Sequence, residues 1–284
     1  MPQLNFKRQE IKYRLNECQR ARLELVMNRY MVADEHGPST VRNVYYDTPS
    51  HLIIRRSTEK PTYKEKLRVR SYVDVTPETP VFLELKKKVR GIVYKRRVVL
   101  PLAEAQATLA GTRAPADQIE REIAFSASRY EGLYPAMYLA YDREAFFARD
   151  DHEFRITFDR NVRCRWSDVT LEGPTEGIQL LDEGESLMEI KGVGAMPLWL
   201  AHFLDAECLR KASFSKYGTA WVRQRELESR KARHLAGIGT RYVPQVPQAP
   251  VAQPSVSPMP GWREVGGLPL AASVGARHAA GVAS

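Results

Sequence analysis

The sequence predicts an α+β fold: an eight-stranded antiparallel β-barrel with flanking helices. Three observations carry that prediction. Eight segments alternate in polarity with the period of two that a strand imposes, and most follow one another with only a turn between them. In nearly all of them one face is apolar and the other charged. Helical patterns lie between and after them, so helices are available to cover the apolar face from outside. The charged face then points inward, the reverse of an ordinary small barrel.

The elements run in order. Residues 6–15 alternate, with Glu10, Lys12 and Arg14 opposite Ile11, Tyr13 and Leu15. Asn16 is an N-cap for a helix over 17–31, where Leu23, Val26, Met27 and Tyr30 fall on one side. His36-Gly37-Pro38 is a turn. The second strand, 40–47, carries Asn43, Tyr45 and Asp47 on one face and ends at Thr48-Pro49; a short helical piece over 50–56 follows. The third, 63–70, reads Tyr-Lys-Glu-Lys-Leu-Arg-Val-Arg and gathers Lys64, Lys66, Arg68 and Arg70 on one face. After a turn at 76–80, the fourth strand, 81–88, aligns Phe82, Glu84, Lys86 and Lys88. A hairpin at 89–91 leads to the fifth, 92–100, with Lys95 and Arg97. Residues 102–131 are helical with a break at 111–116. The sixth strand, 136–148, aligns Tyr141, Arg143, Ala145 and Phe147; the seventh, 153–160, aligns Glu153, Arg155, Thr157 and Asp159. The eighth, 186–191, aligns Leu187, Glu189 and Lys191, and helices at about 197–210 and 214–233 complete a domain spanning 1–240. Residues 241–284 hold prolines 244, 247, 250, 254, 258, 260 and 269 with few charges, which predicts a disordered Pro/Ala-rich tail.

The 284 residues are 43% hydrophobic, enough for a core, and a net charge of +9 asks for an anionic partner. Nucleic acid, anionic lipid and phosphorylated small molecules all meet that demand. Cys18, Cys164 and Cys208 are odd in number and far apart, against a disulfide framework and for a reducing compartment. No apolar signal core opens the chain and no apolar run approaches the ~20 residues of a membrane span. A soluble, cytoplasmic protein is expected. There is no GxxxxGK[ST] loop, Gly192-Val193-Gly194 is too short for a dinucleotide fingerprint, and the six histidines show no metal spacing.

The charged faces gather Lys12, Arg14, Lys64, Lys66, Arg68, Arg70, Lys86, Lys88, Lys95, Arg97, Arg143, Arg155 and Lys191. A solvated face explains any one such strand. Recurrence on eight strands, with Glu-x-Lys at Glu10–Lys12, Glu84–Lys86 and Glu189–Lys191, favours a basic tunnel for a polyanion. The aromatics fall mostly on the apolar faces without an RNP-type pair for stacking bases, so no nucleic-acid partner is expected. Glu10, Glu84 and Asp159 are read first as pairing with neighbouring cations, with assistance to a metal ion as the alternative, and Asp47 as a turn residue rather than a ligand.

Nine segments in order resemble the VTC domain, the polyphosphate polymerase domain of the vacuolar transporter chaperone complex, within the CYTH-like triphosphate tunnel metalloenzyme superfamily. They are FKRQEIKYRL (6–15), VRNVYYDTP (41–49), EKPTYKEKLRVRSY (59–72), VFLELKKK (81–88), VYKRR (93–97), LAYDREAF (139–146), FRITFDRNV (154–162), LMEIK (187–191) and FSKY (214–217). The resemblance is to the stand-alone bacterial type. The SPX domain and membrane helices of the fungal complex are missing from it, which leaves regulation and vectorial transport unsupported and leaves room for a separate membrane partner. The resemblance implies a tunnel in which the γ-phosphate of ATP passes to a growing polyphosphate chain. It implies phosphate-binding catalytic roles for Lys12, Arg68, Arg70, Lys86, Lys95, Arg143 and Arg155. It places Ser215 and Lys216 on the phosphates as well, and Glu189 as the acidic ligand of Mn²⁺ or Mg²⁺. Lys66, Arg97 and Lys191 share the charged faces and join the substrate-binding set. A tunnel triphosphatase and a non-catalytic polyphosphate-binding module are the alternatives.

Overall fold

The computed structural model describes residues 9–59, 62–90 and 92–239. The described residues up to Ala236 form one compact unit. The start of the first predicted strand and the predicted tail, 241–284, lie outside the described residues.

Among the described residues ten strands and six helices follow the order β1 (Gln9–Leu15), α1 (Glu17–Tyr30), β2 (Met31–Ala33), β3 (Ser39–Asp47), α2 (Leu52–Thr58), β4 (Tyr63–Ser71), β5 (Pro80–Val89), β6 (Ile92–Pro101), α3 (Leu102–Ala110), α4 (Gln118–Ser128), β7 (Tyr134–Ala148), β8 (Arg155–Arg165), β9 (Ile178–Gln179), β10 (Ser186–Gly192), α5 (Leu198–Ala206) and α6 (Lys216–Gly239). Eight strands pair antiparallel in the order β1-β10-β8-β7-β3-β4-β5-β6, while β2 adds to β7 and β9 to β8. Strands of three and two residues are too short for alternation to reveal. Asn16 caps α1 as expected: its side chain accepts from the Gln19 N–H at 2.8 Å, and the Gln19 side chain accepts from the Asn16 N–H at 3.1 Å.

The expected barrel is not closed by hydrogen bonds. Among the described residues β1 and β6 share no ladder. The free edge of β1 is instead taken by the chain leading into α6. Ala212 N–H donates to the Lys12 carbonyl at 2.7 Å, and Tyr13 bridges to Lys211. The sheet nevertheless curls strongly, because Lys86 Nζ on β5 reaches within 3.7 Å of Glu10 Oε2 on β1.

β8 runs past the predicted end at 160. Asn161 adopts a left-handed φ of 49°, and the β7–β8 register shifts between Ala140 and Asp142. Such a bulge flips the alternation, so the outward series Phe154, Ile156, Phe158 is followed by Val162 and Cys164 on the other face.

Two apolar clusters lie on the convex side. Leu67, Val69, Leu83 and Leu85 pack under Leu102 and Leu109 of α3 and Ile123 of α4. Tyr13, Ile156, Phe158, Met188 and Ile190 pack against Leu23 and Met27 of α1 and Leu200 and Leu204 of α5. Each such side chain contributes roughly 1.5–3 kcal/mol by leaving water. Val26 stays 36% exposed, outside the expected stripe of α1. A third cluster sits on the concave side. There Val41, Tyr45, Leu139, Tyr141 and Leu187 meet Ile54 of α2 and Tyr217 and Ala220 of α6. The concave face is therefore charged over only part of its length.

Candidate functional site

Register builds the first half of the site. Antiparallel pairing sets Arg68 opposite Glu84 and Lys66 opposite Lys86 across β4–β5, and Glu84 opposite Arg97 and Lys86 opposite Lys95 across β5–β6. Glu84 is buried and accepts from Arg68 Nε at 2.6 Å, Arg97 Nε at 2.5 Å and Lys95 Nζ at 2.7 Å. Burial alone would raise its pKa, but Arg68, Arg70 and Lys95 outweigh it and hold the carboxyl well below the usual range. Arg68 Nη1 also donates to Tyr45 Oη at 3.1 Å. Arg70 is buried, with Nε on Asn43 Oδ1 at 2.8 Å, Nη2 on Tyr141 Oη at 3.1 Å and Nη1 on Tyr72 Oη at 3.3 Å. Arg97 lies over the Phe82 ring at 4.4 Å.

The second half comes from β1, β10, β8 and β7. Lys12 faces Glu189, Glu189 faces Thr157, and Arg143 faces Asp159. Arg143 grips Asp159 with both prongs, at 2.6 and 2.8 Å, and Lys216 bonds the same carboxylate from α6. Lys12 Nζ lies 3.1 Å from Glu10, 3.9 Å from Glu189 and 3.1 Å from the Phe214 carbonyl. Lys191 reaches Glu189 at 2.6 Å. Burial opposes ionisation of Glu189, yet Lys191, Lys12, Lys216 and Arg143 hold its pKa well below normal.

The run Phe214-Ser215-Lys216 joins the halves. It touches β1 through Lys12, β8 through Asp159 and β4 through Lys66, whose Nζ donates to Ser215 Oγ at 2.8 Å. Burial and the like charges of Lys86, Lys12 and Arg68 lower Lys66 to about 8, against the pull of Tyr45. Tyr45 also falls to about 8: burial raises it, but Arg68, Lys66 and Arg70 prevail.

The structure thus brings Lys12, Lys66, Arg68, Arg70, Lys86, Lys95, Arg97, Arg143, Glu189, Lys191, Ser215 and Lys216 onto one concave face. Depth is graded: Lys86 and Lys95 side chains are 43% and 41% exposed, Arg143 and Lys216 only 16% and 11%. Arg155 stands apart from the cluster at the start of β8. Its Nη2 bonds Asp34 at 3.1 Å and its guanidinium covers Phe147 at 4.7 Å. Lys64 bonds the Ser57 carbonyl at 3.5 Å, beside α2. Glu10, Glu84 and Asp159 pair with cations, as expected. Asp47 is an anchor: it accepts the N–H groups of Thr48, Ile53 and Ile54 and the Tyr217 hydroxyl, at 2.8–2.9 Å. The residues that sequence reasoning missed are Tyr45, Tyr72, Tyr141 and Asn43, which fix the arginines. Asn43, Tyr45 and Tyr141 sat at alternate positions of the charged strands, a signal that places a side chain without naming its partner.

For a metal, the donor set is sparse. Among the described residues no three His, Cys, Asp or Glu side chains are grouped to hold an ion. Glu189 and Glu10, both beside Lys12, are two hard donors. They do not cage an ion alone, but they fit Mg²⁺ or Mn²⁺ held mainly by phosphate oxygens and water.

The VTC domain family model matches residues 7–223. Among curated protein sequences none matches the chain. Two similar crystal structures are candidate adenylate cyclases. One, from Bacillus halodurans, has 14% identity and a TM-score of 0.47, over 74% of this chain and 95% of that one. The other, from Vibrio parahaemolyticus, has 14% identity and a TM-score of 0.44, over 76% of this chain and 99% of that one.

Proposed function

Because the chain belongs to the VTC domain family, we propose that it is a polyphosphate polymerase. It transfers the γ-phosphoryl group of ATP to a growing inorganic polyphosphate chain on its concave face, with Mn²⁺ or Mg²⁺ as cofactor. The observation that carries this reading is the convergence of Lys12, Lys66, Arg68, Arg70, Lys86, Lys95, Arg97, Arg143, Lys191 and Lys216 from six strands and the start of α6. Their carboxylate partners are fewer: Glu10, Glu84, Asp159 and Glu189.

Phosphoryl transfer asks a protein for positioning and for neutralisation of spreading negative charge. Arg68 and Arg70 meet both needs. Their guanidinium groups are already fixed by Glu84, Tyr45, Asn43 and Tyr141, so little side-chain freedom is lost when phosphate arrives. Lys86, Lys95, Arg97 and Lys191 are open enough to receive the polyanion, and Lys12, Arg143 and Lys216 lie deeper. Arg155 acts at the rim, where it leaves Asp34 to meet incoming substrate. Glu189 and Glu10 hold the divalent ion, which when bound offsets charge on the phosphate oxygens. The partners are ATP and polyphosphate, without nucleic acid, and the setting is cytoplasmic. No helix of the described residues is long and apolar enough to cross a membrane.

The test is direct. Purified protein incubated with ATP and Mn²⁺ or Mg²⁺ yields acid-stable polyphosphate and ADP. Neither product at any metal concentration overturns the reading. Orthophosphate without chains makes the protein a triphosphatase instead.

A further inference from the structure

Ser215 is more than a phosphate contact by its surroundings. Its side chain is exposed on the concave side, and its Oγ accepts from Lys66 Nζ at 2.8 Å and from the Gly218 N–H at 3.2 Å. A Cβ at position 218 would stand 3.2 Å from that oxygen, so glycine keeps the approach open. Other hydroxyls of the face are worse placed to attack. Those of Tyr45 and Tyr141 are held by Arg68 and Arg70, which stay protonated and cannot take their protons, and Thr157 is 1% exposed.

We propose that Ser215 is a phosphoacceptor: its Oγ takes the first γ-phosphoryl group from ATP, so that the polyphosphate chain starts on the protein itself. The proposal rests on the ATP-dependent reading above. Oγ forms a bond to Pγ, and the bridging Pγ–O bond to the β-phosphate breaks. ADP leaves with that oxygen and its electron pair. The hydroxyl proton passes to the neutral amine of Lys66 and then to solvent. A terminal oxygen of the resulting phosphoserine attacks the next ATP in the same way, and the chain grows outward.

A serine hydroxyl needs a base close by, and a serine–lysine pair is a recurring solution. Lys66 is surrounded by Tyr45 on β3, Arg68 on its own strand, Lys86 on β5, Lys12 on β1 and Ser215 ahead of α6. Burial and these cations bring it to about 8 from 10.5, so a usable share is neutral near neutral pH. The Gly218 N–H faces the charge that develops on Oγ. Once formed, the phosphoserine sits at the start of α6 beside Lys66, where backbone N–H groups and the ammonium hold its charge.

The experiment uses the full-length protein, ATP labelled in its γ-phosphate, and Mn²⁺. Label is expected on the denatured protein, with phosphoserine at residue 215 by peptide mass spectrometry and intact masses rising in phosphate steps. Ser215→Ala loses the protein-bound label and the start from ATP alone, and inorganic triphosphate supplied as primer recovers measurable elongation. Lys66→Arg keeps the charge but removes the base, so labelling slows about 100-fold. Chains formed by wild type with no phosphate on Ser215 overturn this inference and leave the polymerase reading standing. Phosphate on Ser215 without chains supports this inference and overturns the polymerase reading. Neither product overturns both.

Discussion

Glu84 shows what single residues decide in this site. One buried carboxylate orients Arg68, Lys95 and Arg97. Glu84→Gln leaves those cations without a shared anion. Lys95 and Arg97 reach solvent, which screens their part, so the expected loss is about 2 kcal/mol, read by denaturant unfolding. Added inorganic triphosphate should recover more stability in this variant than in wild type, because it supplies the missing charge. Depth separates two cations of β4. Arg70→Ala should lower kcat, since a buried, three-partner guanidinium is lost. Lys64→Ala should mainly raise KM and flatten its salt dependence; the opposite ranking would reverse the strand's depth in the site. Lys66 gives a pH signature. Its lowered pKa means its charge disappears as pH rises through about 8, not near 10.5. Tyr45 becomes anionic in the same range. Triphosphate affinity should therefore fall across pH 8, with proton uptake on binding in calorimetry, and Lys66→Arg should blunt both. For the free protein the sign is opposite: between about 8 and 10 the unfolded chain holds more protons at these two groups, so they add stability as pH rises. Alternation alone placed the cations on one face. It could not pair Arg70 with Asn43 and Tyr141, because those contacts come from the register of neighbouring strands.

At the scale of elements, what was legible followed period and capping. The Asn16 cap, the break between α3 and α4 and the eight longer strands were readable because each is local. The extension of β8 was not, because the left-handed Asn161 resets the alternation on which the reading depends. The apolar patch of the concave face was missed for a related reason. Tyr45, Leu139 and Tyr141 look like scattered members of separate strands until α6 lays Tyr217 against them, with Tyr45 and Tyr217 rings stacked at 4.6 Å. Asp47 ties these elements together, bonding the first turn of α2 and the Tyr217 hydroxyl of α6. Asp47→Ala strips charged acceptors from several buried donors and should cost roughly 3 kcal/mol in unfolding free energy. Phosphate affinity should fall with it, since α6 also delivers Lys216 to Asp159.

For the whole molecule, the curl of the sheet was predictable from the reversed polarity of its faces, whereas the way its edge is finished was not. Closing this sheet would pair β1 with β6; here the run 211–216 borders β1 and then enters the site. No periodicity announces a segment of that kind. Ligand and fold are consequently linked. Inorganic triphosphate at a hundred times its Kd should raise the unfolding free energy by about 2.7 kcal/mol, with the gain shrinking as salt is added, both measurable by thermal scanning. The carboxylates among the cations have one more consequence. Glu84, Asp159 and Glu189 serve as built-in counterions, so an arriving chain does not fill an electrostatic void; it trades places with anions that are already there. On the proposed function, such an exchange would let the face hold a long polymer at many points and release it by one unit, as stepwise growth of a chain demands.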